Sequence, residues 1–318
     1  MYFYRRKASF ILLLLAVTVL ALNSCGLRTS HPVKMRTSTA TLRDASLEQL
    51  VDSVNSNAAK IQSLKATVDI DSSVLEQKKD KVVDNPQVAG FVLVRKPEML
   101  RMRILVPVVR NIMADMVSNG NNFSLAIPPK SKFIIGSNRL PAKPSPEPLY
   151  NMRPQHIYDA LLLMPITSGN EIPVLEHTTE IVKDPKTHKD AQQDAYTVLI
   201  IDKKDEANSF LARKIVFSRT DLLPHEQYIY DRQGHLVTYA HYENFAEYGG
   251  IKFPGIVSIQ RPMEGYALTL SIVKMDVNVQ LTDEQFALPQ PPGSQLINLD
   301  TKSSAATAPH EQESKEPR

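Results

Sequence analysis

The 318-residue sequence contains one cysteine and no tryptophan. With a single thiol, Cys25, no disulfide can form within the chain, so that thiol is free for another use. A dominant charge is missing as well. The formal net charge is +3, yet Arg5, Arg6 and Lys7 are the only charged residues in 1–24, and residues 25–318 are close to neutral. That leaves no electrostatic case for a nucleic-acid partner. The apolar run Phe10–Leu22 falls short of the ~18–20 residues that a bilayer span requires. Neither a Gly-x-Ser-x-Gly elbow nor a Gly-rich phosphate loop occurs. His235 and His241 share strand parity, but about 20 Å of extended strand would separate them, too far for one metal. Acidic residues are scattered over strand ends and turns, where charges are normally solvated. No catalytic residue, metal ligand or cofactor is expected, and an enzyme is disfavoured.

What is present begins at the N-terminus. A basic segment, the apolar run and Leu22-Asn23-Ser24-Cys25 come in the order of a secretory signal peptide. The last four residues resemble the bacterial lipobox, with an aliphatic residue at −3, a small one at −1, and Asn23 as the single departure. The expected chemistry is thioether attachment of a diacylglyceryl group to Cys25, cleavage before it, and acylation of the new amine. Two or more acyl chains hold a protein on a membrane where one binds reversibly. The rival readings are an ordinary signal peptide with an incidental cysteine and an uncleaved membrane anchor. Gly26 at +2 resembles the enterobacterial signal for delivery to the outer membrane. The expected organisation is a signal peptide over 1–24, a lipidated flexible tether over 25–41, one domain over 42–295, and a disordered polar tail over 296–318.

Within the domain the pattern is mainly β. Ser46 and Gln49 form a capping-box pattern. Leu47, Leu50, Val51, Val54, Ala58 and Ile61 then recur at helical spacing, which predicts an amphipathic helix over 46–63 in need of a partner surface. From Leu64 the period becomes two: Ala66, Val68 and Ile70 alternate with Thr67, Asp69 and Asp71. A strand, a turn at Lys96-Pro97-Glu98 and a second strand come next, the second with Leu100, Met102, Ile104 and Val106 on one side and Arg101 and Arg103 on the other. Asn119-Gly120-Asn121 marks a hairpin turn. The segment 141–148 holds four prolines and reads as a loop. A second helix is predicted over 153–164, then a second β series from Ile172 to Val279. Without a break in composition between the two series, one long antiparallel meander is the simplest architecture, and a sheet of that many strands must curl or close.

The order of these elements resembles the Lol family, the lipoprotein carriers and receptors of the diderm envelope. The residues that carry the likeness are LEQLVDSVNSNAAKIQSLKATVDI, the Lys96-Pro97-x-x-Leu100-Arg101 hairpin, VSNGNNFSLAIPP, YDRQGHLVTYAHYENFAEYGGIKFPGIVSIQRP and the closing FALPQPPG. They span about Leu47 to Pro292. The resemblance implies an incomplete antiparallel β-barrel of about eleven strands, with helices on its concave side over an apolar cavity. Loop insertions at 141–148 and 183–194 depart from the family. The anchored receptor of the family is a lipoprotein and its soluble carrier is not, so Cys25 favours the receptor type.

Such a protein hides acyl chains from water. At ~0.8 kcal/mol per CH₂, one sixteen-carbon chain represents about 12 kcal/mol of transfer free energy. The side chains expected on the concave face are Val68, Ile70, Leu93, Leu100, Met102, Ile104, Ile157, Leu161, Tyr239 and Leu268. Met102, Met113 and Met116 would add adaptable surface. Packing against one another around the helices is the alternative role for all of them. In VPVVRNIM, the resemblance implies an inter-strand loop in which Val108, Val109 and Ile112 touch a membrane; a continuing strand with a proline bulge is the alternative. The expected function is a membrane-anchored lipoprotein that binds acyl chains or lipoproteins and takes part in their localisation at the outer membrane. Its expected partners are membrane lipid, lipidated cargo and a periplasmic carrier. The competing function is a structural or interaction subunit of an envelope complex, with the same fold and a filled core.

Overall fold

A computed structural model describes residues 36–76, 81–138, 148–203 and 208–300. Cys25, the signal segment, residues 141–147 of the proline-rich insertion and 301–318 lie outside them. The first helix, α1, runs Leu47–Lys60 and starts on the expected capping box: Gln49 N–H donates to Ser46 Oγ (3.3 Å), and Ser46 N–H to Gln49 Oε1 (2.9 Å). Six strands come after it: β1 Ser63–Glu76, β2 Lys81–Arg95, β3 Met99–Leu105, β4 Ile112–Ser118, β5 Asn122–Ile127 and β6 Lys132–Ser137. Two short helices, α2 Pro148–Asn151 and α3 Pro154–Leu161, separate these from the second series. That series is β7 Glu171–Lys183, β8 Asp190–Lys203, β9 Ser209–Ser218, β10 Pro224–Tyr230, β11 Leu236–Glu243, β12 Ala246–Tyr248, β13 Ile251–Phe253, β14 Ile256–Arg261 and β15 Tyr266–Val277, with β16 Gln295–Asn298 at the end.

Fourteen strands form one sheet in the order β16-β6-β5-β4-β3-β2-β1-β15-β14-β11-β10-β9-β8-β7, and β12–β13 is a separate hairpin. All neighbours in the sheet are antiparallel except β16 and β6, which are parallel. Its ends, β16 and β7, do not pair, so the barrel is incomplete as expected, with more strands than the eleven that the resemblance implied.

Register identifies the inner face. Directly opposed residues share a face, and the row Ala66, Val92, Met102, Met116, Leu125, Ile134, Ile297 is buried throughout. The side chains of α3 join one cluster with residues of β3 and β4 and also of β11 and β14. Three strands lie between those two pairs in the sheet. Only a sheet curled around the helix brings both to it, so α3 lies on the concave side. Leu50 and Val54 of α1 pack on Val198 and Ile200 of β8 and on Ile215 and Phe217 of β9, along the same face. Both helices are therefore inside, as the fold class requires.

The convex side carries a strap. Arg101 Nε and Nη2 hold Asp115 at 2.9 and 2.7 Å, and Arg101 Nη1 donates to the Gln285 carbonyl (2.8 Å). Phe286 is buried there, with the Arg95 guanidinium 5.1 Å from its ring centre. Two stretches that carry the family likeness, Lys-Pro-x-x-Leu-Arg and FALPQPPG, thus meet at one buried ion pair.

Several boundaries differ from expectation. The polar stretch 183–194 is no loop insertion: Lys183 pairs with Asp190, and strand pairing runs through Ala191, Gln192, Gln193 and Asp194. Asp184 closes the intervening turn by accepting from the Lys186 and Thr187 amides. The tether 25–41 is held at its far end, where Gln192 N–H donates to Arg36 O and the Thr39 amide and hydroxyl donate to Asp184 Oδ2. Within the second β series, residues 252–260 do not form one strand: Pro254-Gly255 separates β13 from β14. The region assigned to the tail from 296 begins inside β16, because Leu296 and Ile297 sit beside β6.

Candidate functional site

Eight of the ten expected cavity residues converge. Val68 and Ile70 (β1), Leu100, Met102 and Ile104 (β3), Leu268 (β15) and Ile157 and Leu161 (α3) belong to one buried cluster, which Met116 joins and on which Met113 packs. Ile157 and Met102 are 0% exposed, so in this state these side chains fill the interior against one another.

Leu93 and Tyr239 are not among them. Leu93 opposes Lys65 and Arg101 on the convex face, while Val92 and Val94 on either side of it point inward. Tyr239 also faces outward: its ring lies tilted against Tyr228 with ring centres 4.8 Å apart, and its hydroxyl donates to Glu226 at 3.1 Å. Thr238 and Ala240 take the inward positions on that strand, because the smaller side chains fit beneath α3.

Where the two helices diverge, a cleft remains. Its walls are Val54 and Ala58 from α1 and Ile61 just after it, Leu161 at the end of α3 with Leu162 and Leu163 beyond, Leu223 and Pro224, Tyr242, Phe245, and Phe253 and Pro254 at the end of β13. Its enclosed space is about 60 Å³, well below the roughly 300–1,000 Å³ usual for small-molecule sites, so a ligand of that size enters only if the walls part. Ser53, Asn57, Lys96 and Lys252 are its polar lining. Of these residues, sequence reasoning singled out only Leu161 as a binding residue. The available signal was the α1 stripe, whose lower half, Ala58 and Ile61, borders the cleft.

The other flank of α3 is polar and buried. Arg261 donates through Nη2 to Glu264 and meets His156 Nε2 at 3.1 Å, and Nη1 reaches Thr238. Burial, together with the Arg261 and Arg153 charges, pushes His156 well below the ordinary histidine range, so it is neutral, and its Nδ1 lacks a partner. Asp159 is pushed up to about 6, first by burial and further by Glu98, against a hydrogen bond from Gln155 and the charges of Arg261 and Arg213. Tyr242 donates to the Ala160 carbonyl at 2.8 Å and bonds Gln227 at 3.3 Å. Helix α3 therefore meets β3 and β4 through hydrocarbon and carries a polar layer toward β10, β11 and β14.

The stretch between β3 and β4 is a protruding loop. Val106 N–H donates to Asn111 O (2.8 Å) and Arg110 N–H to Val106 O (2.9 Å), closing a tight turn with Val108 at φ 68° and Arg110 at φ 55°. A β-branched residue is rarely found in that conformation. Val108 is 98% exposed, Val109 62% and Ile112 37%. By the alternation of strand direction, this loop lies at the same end of the sheet as the β1–β2 hairpin and the β14–β15 turn. These also expose apolar side chains: Leu75, Val82, Val83 and Met263.

No protein-family model matches the chain, and no curated protein matches it in sequence. Among solved structures it is similar to a LolA superfamily protein from Nitrosomonas europaea, at 17% identity over 75% of this chain and 97% of that one, with TM-score 0.45. A DUF1329 family protein from Desulfovibrio piger is similar at 14% identity over 76% and 95%, with TM-score 0.49. A domain described as an outer membrane lipoprotein-sorting protein from Vibrio parahaemolyticus is similar at 13% identity over 76% and 97%, with TM-score 0.46.

Proposed function

We propose that this chain is an envelope lipoprotein, anchored through Cys25, that binds acyl chains or lipidated proteins between its helices and the concave face of its sheet. It would take part in placing lipoproteins at the outer membrane, on the periplasmic side, receiving cargo from a soluble carrier. The observation that carries this reading is the apolar cleft between α1, the end of α3 and the β12–β13 hairpin. A chain entering there would continue toward Met102 and Leu268 by lifting α3 off its polar flank. The loop at Val108, Val109 and Ile112 supplies a second requirement, an aliphatic surface that a membrane can accept. Each aliphatic side chain gains about 1.5–3 kcal/mol on full burial.

The test is transfer of a fluorescent diacylglyceryl peptide from the full chain to vesicles. Changing Val108, Val109 and Ile112 to Asp should leave uptake intact and abolish delivery. Delivery at the unaltered rate would remove the receptor reading. For the anchor, Cys25→Ser should leave an unprocessed precursor whose domain folds normally, and normal processing of that variant would remove the lipoprotein reading. Complete burial of Ile157 and Met102 in one cluster favours the rival, a structural subunit with a filled core. That rival predicts no uptake at all.

A further inference from the structure

We propose, resting on the reading that the cleft takes an acyl chain, that its mouth selects a chain carrying an anionic head, a phosphate or a carboxylate. Two ammonium groups, Lys96 and Lys252, line the cleft, and no carboxylate does. Lys96 lies in the turn between β2 and β3, and its Nζ donates to the Ala58 carbonyl in the last turn of α1. Helix C-terminal carbonyls attract a cation there. Burial lowers the Lys96 pKa, which marks an ammonium partly stripped of water. An anionic acceptor within the cleft would restore what that ammonium has lost.

Lys252 stands on the opposite wall, between Ile251 and Phe253, whose side chains point inward while its own is exposed. It has no ion pair among the described residues. Asp221 lies within its field, but that carboxylate is already engaged: Oδ2 meets His225 Nε2 at 3.0 Å, and Oδ1 accepts from the Leu223 amide at 2.9 Å. The hydrocarbon walls, Ile61, Leu162, Phe245 and Phe253, offer nothing to a bare anion. Charge and apolar wall together fit an amphiphile: head between the lysines, chain running inward along Leu161. A neutral acyl head would leave both lysines as they are and gain nothing from them.

Native mass spectrometry of the full chain, titrated with dodecyl phosphate, dodecanol or inorganic phosphate, tests this. Dodecyl phosphate should bind about tenfold tighter than dodecanol or better, the effect of one charge-assisted hydrogen bond. Lys252→Gln should erase that preference and leave dodecanol binding unchanged. Lys96→Gln should do the same, and if loss of its contact with α1 lowers the thermal midpoint, Lys252→Gln alone decides. Inorganic phosphate should neither bind nor compete at the same concentrations. Equal binding of the two amphiphiles would overturn head selection and leave the acyl-chain reading standing. Failure of both to bind would overturn the two together. Competition by inorganic phosphate equal to that of dodecyl phosphate would make the site a simple anion site and overturn the proposal.

Discussion

At the scale of single residues, the sharpest contrast is between apolar side chains that look alike in sequence. Met102 is sealed between sheet and helix, whereas Val108 stands in solvent. Met102→Ala should therefore cost about 2–5 kcal/mol of stability in denaturant unfolding. The triple Asp change at Val108, Val109 and Ile112 should cost no more than about 0.5 kcal/mol per substitution in the same measurement. A loss of several kcal/mol from the triple change would mean that the loop packs as core. Polar residues divide in the same way. Asp115 is buried and engaged by both Arg101 and Arg103. Asp115→Ala should destabilise by about 3–5 kcal/mol, because it leaves the Arg101 charge buried and unpaired.

Face assignment was legible where size and polarity alternated, as in Leu100-Arg101-Met102-Arg103-Ile104, and illegible where they did not. In Phe91-Val92-Leu93-Val94 every side chain is apolar, so period two cannot say which pair is inside. In Thr238-Tyr239-Ala240 the larger residue suggests the core, yet it is the small ones that fit beneath α3.

At the scale of elements, the cap and stripe of α1 were legible because local hydrogen bonds and periodicity agree, but the helix ends at Lys60 rather than 63, where the chain turns into β1. Helix α3 was less legible. Its apolar residues were identified, but the buried polar layer on its other flank depends on partners 68–105 residues away, such as Gln227 and Arg261. Asp159 in that layer yields a pH prediction. Its native pKa of about 6 exceeds the ordinary 3.8, so between those values the folded state holds a proton that the unfolded state has released. Its contribution is least favourable above pH 6 and improves as the pH falls toward 4. Asp159→Asn should raise the thermal midpoint at pH 7 and flatten its dependence between pH 4 and 6, as monitored by circular dichroism. An unaltered profile would show that the carboxyl is solvated. The far end of the β7–β8 hairpin was read as a loop for another reason: 183–194 is largely polar at the sheet's edge, and such a strand looks like a loop.

At the scale of the whole molecule, β1 pairs with both β2 and β15, so the two β series meet at the centre of the sheet rather than forming two domains. Curvature arises from the strand number and from the helices that the sheet must cover. A curled sheet was thus foreseeable from the number of strands, and its openness was implied only by the family resemblance; the single meander was not borne out, because β6 and β7 do not pair and β1 lies beside β15. The cleft was not foreseeable, because it is the space those elements leave unfilled, and periodicity records only what is buried. The far end of the tether is pinned at Asp184 and Gln192, at the end of the strands opposite the exposed 106–112 loop. The described end of the tether and the apolar loop therefore lie at opposite ends of the strands.

If this half-barrel holds acyl chains, the lipid it carries can be measured. The full chain would be purified from native membranes and extracted with organic solvent, and the non-covalently bound lipid identified by mass spectrometry. It would be compared with a Ser53→Phe variant that fills the cleft from α1. An acyl lipid in stoichiometric amount is expected from the unaltered chain and little from the variant, with thermal midpoints alike. Lipid absent from both, or present equally in both, would contradict acyl-chain binding in the cleft.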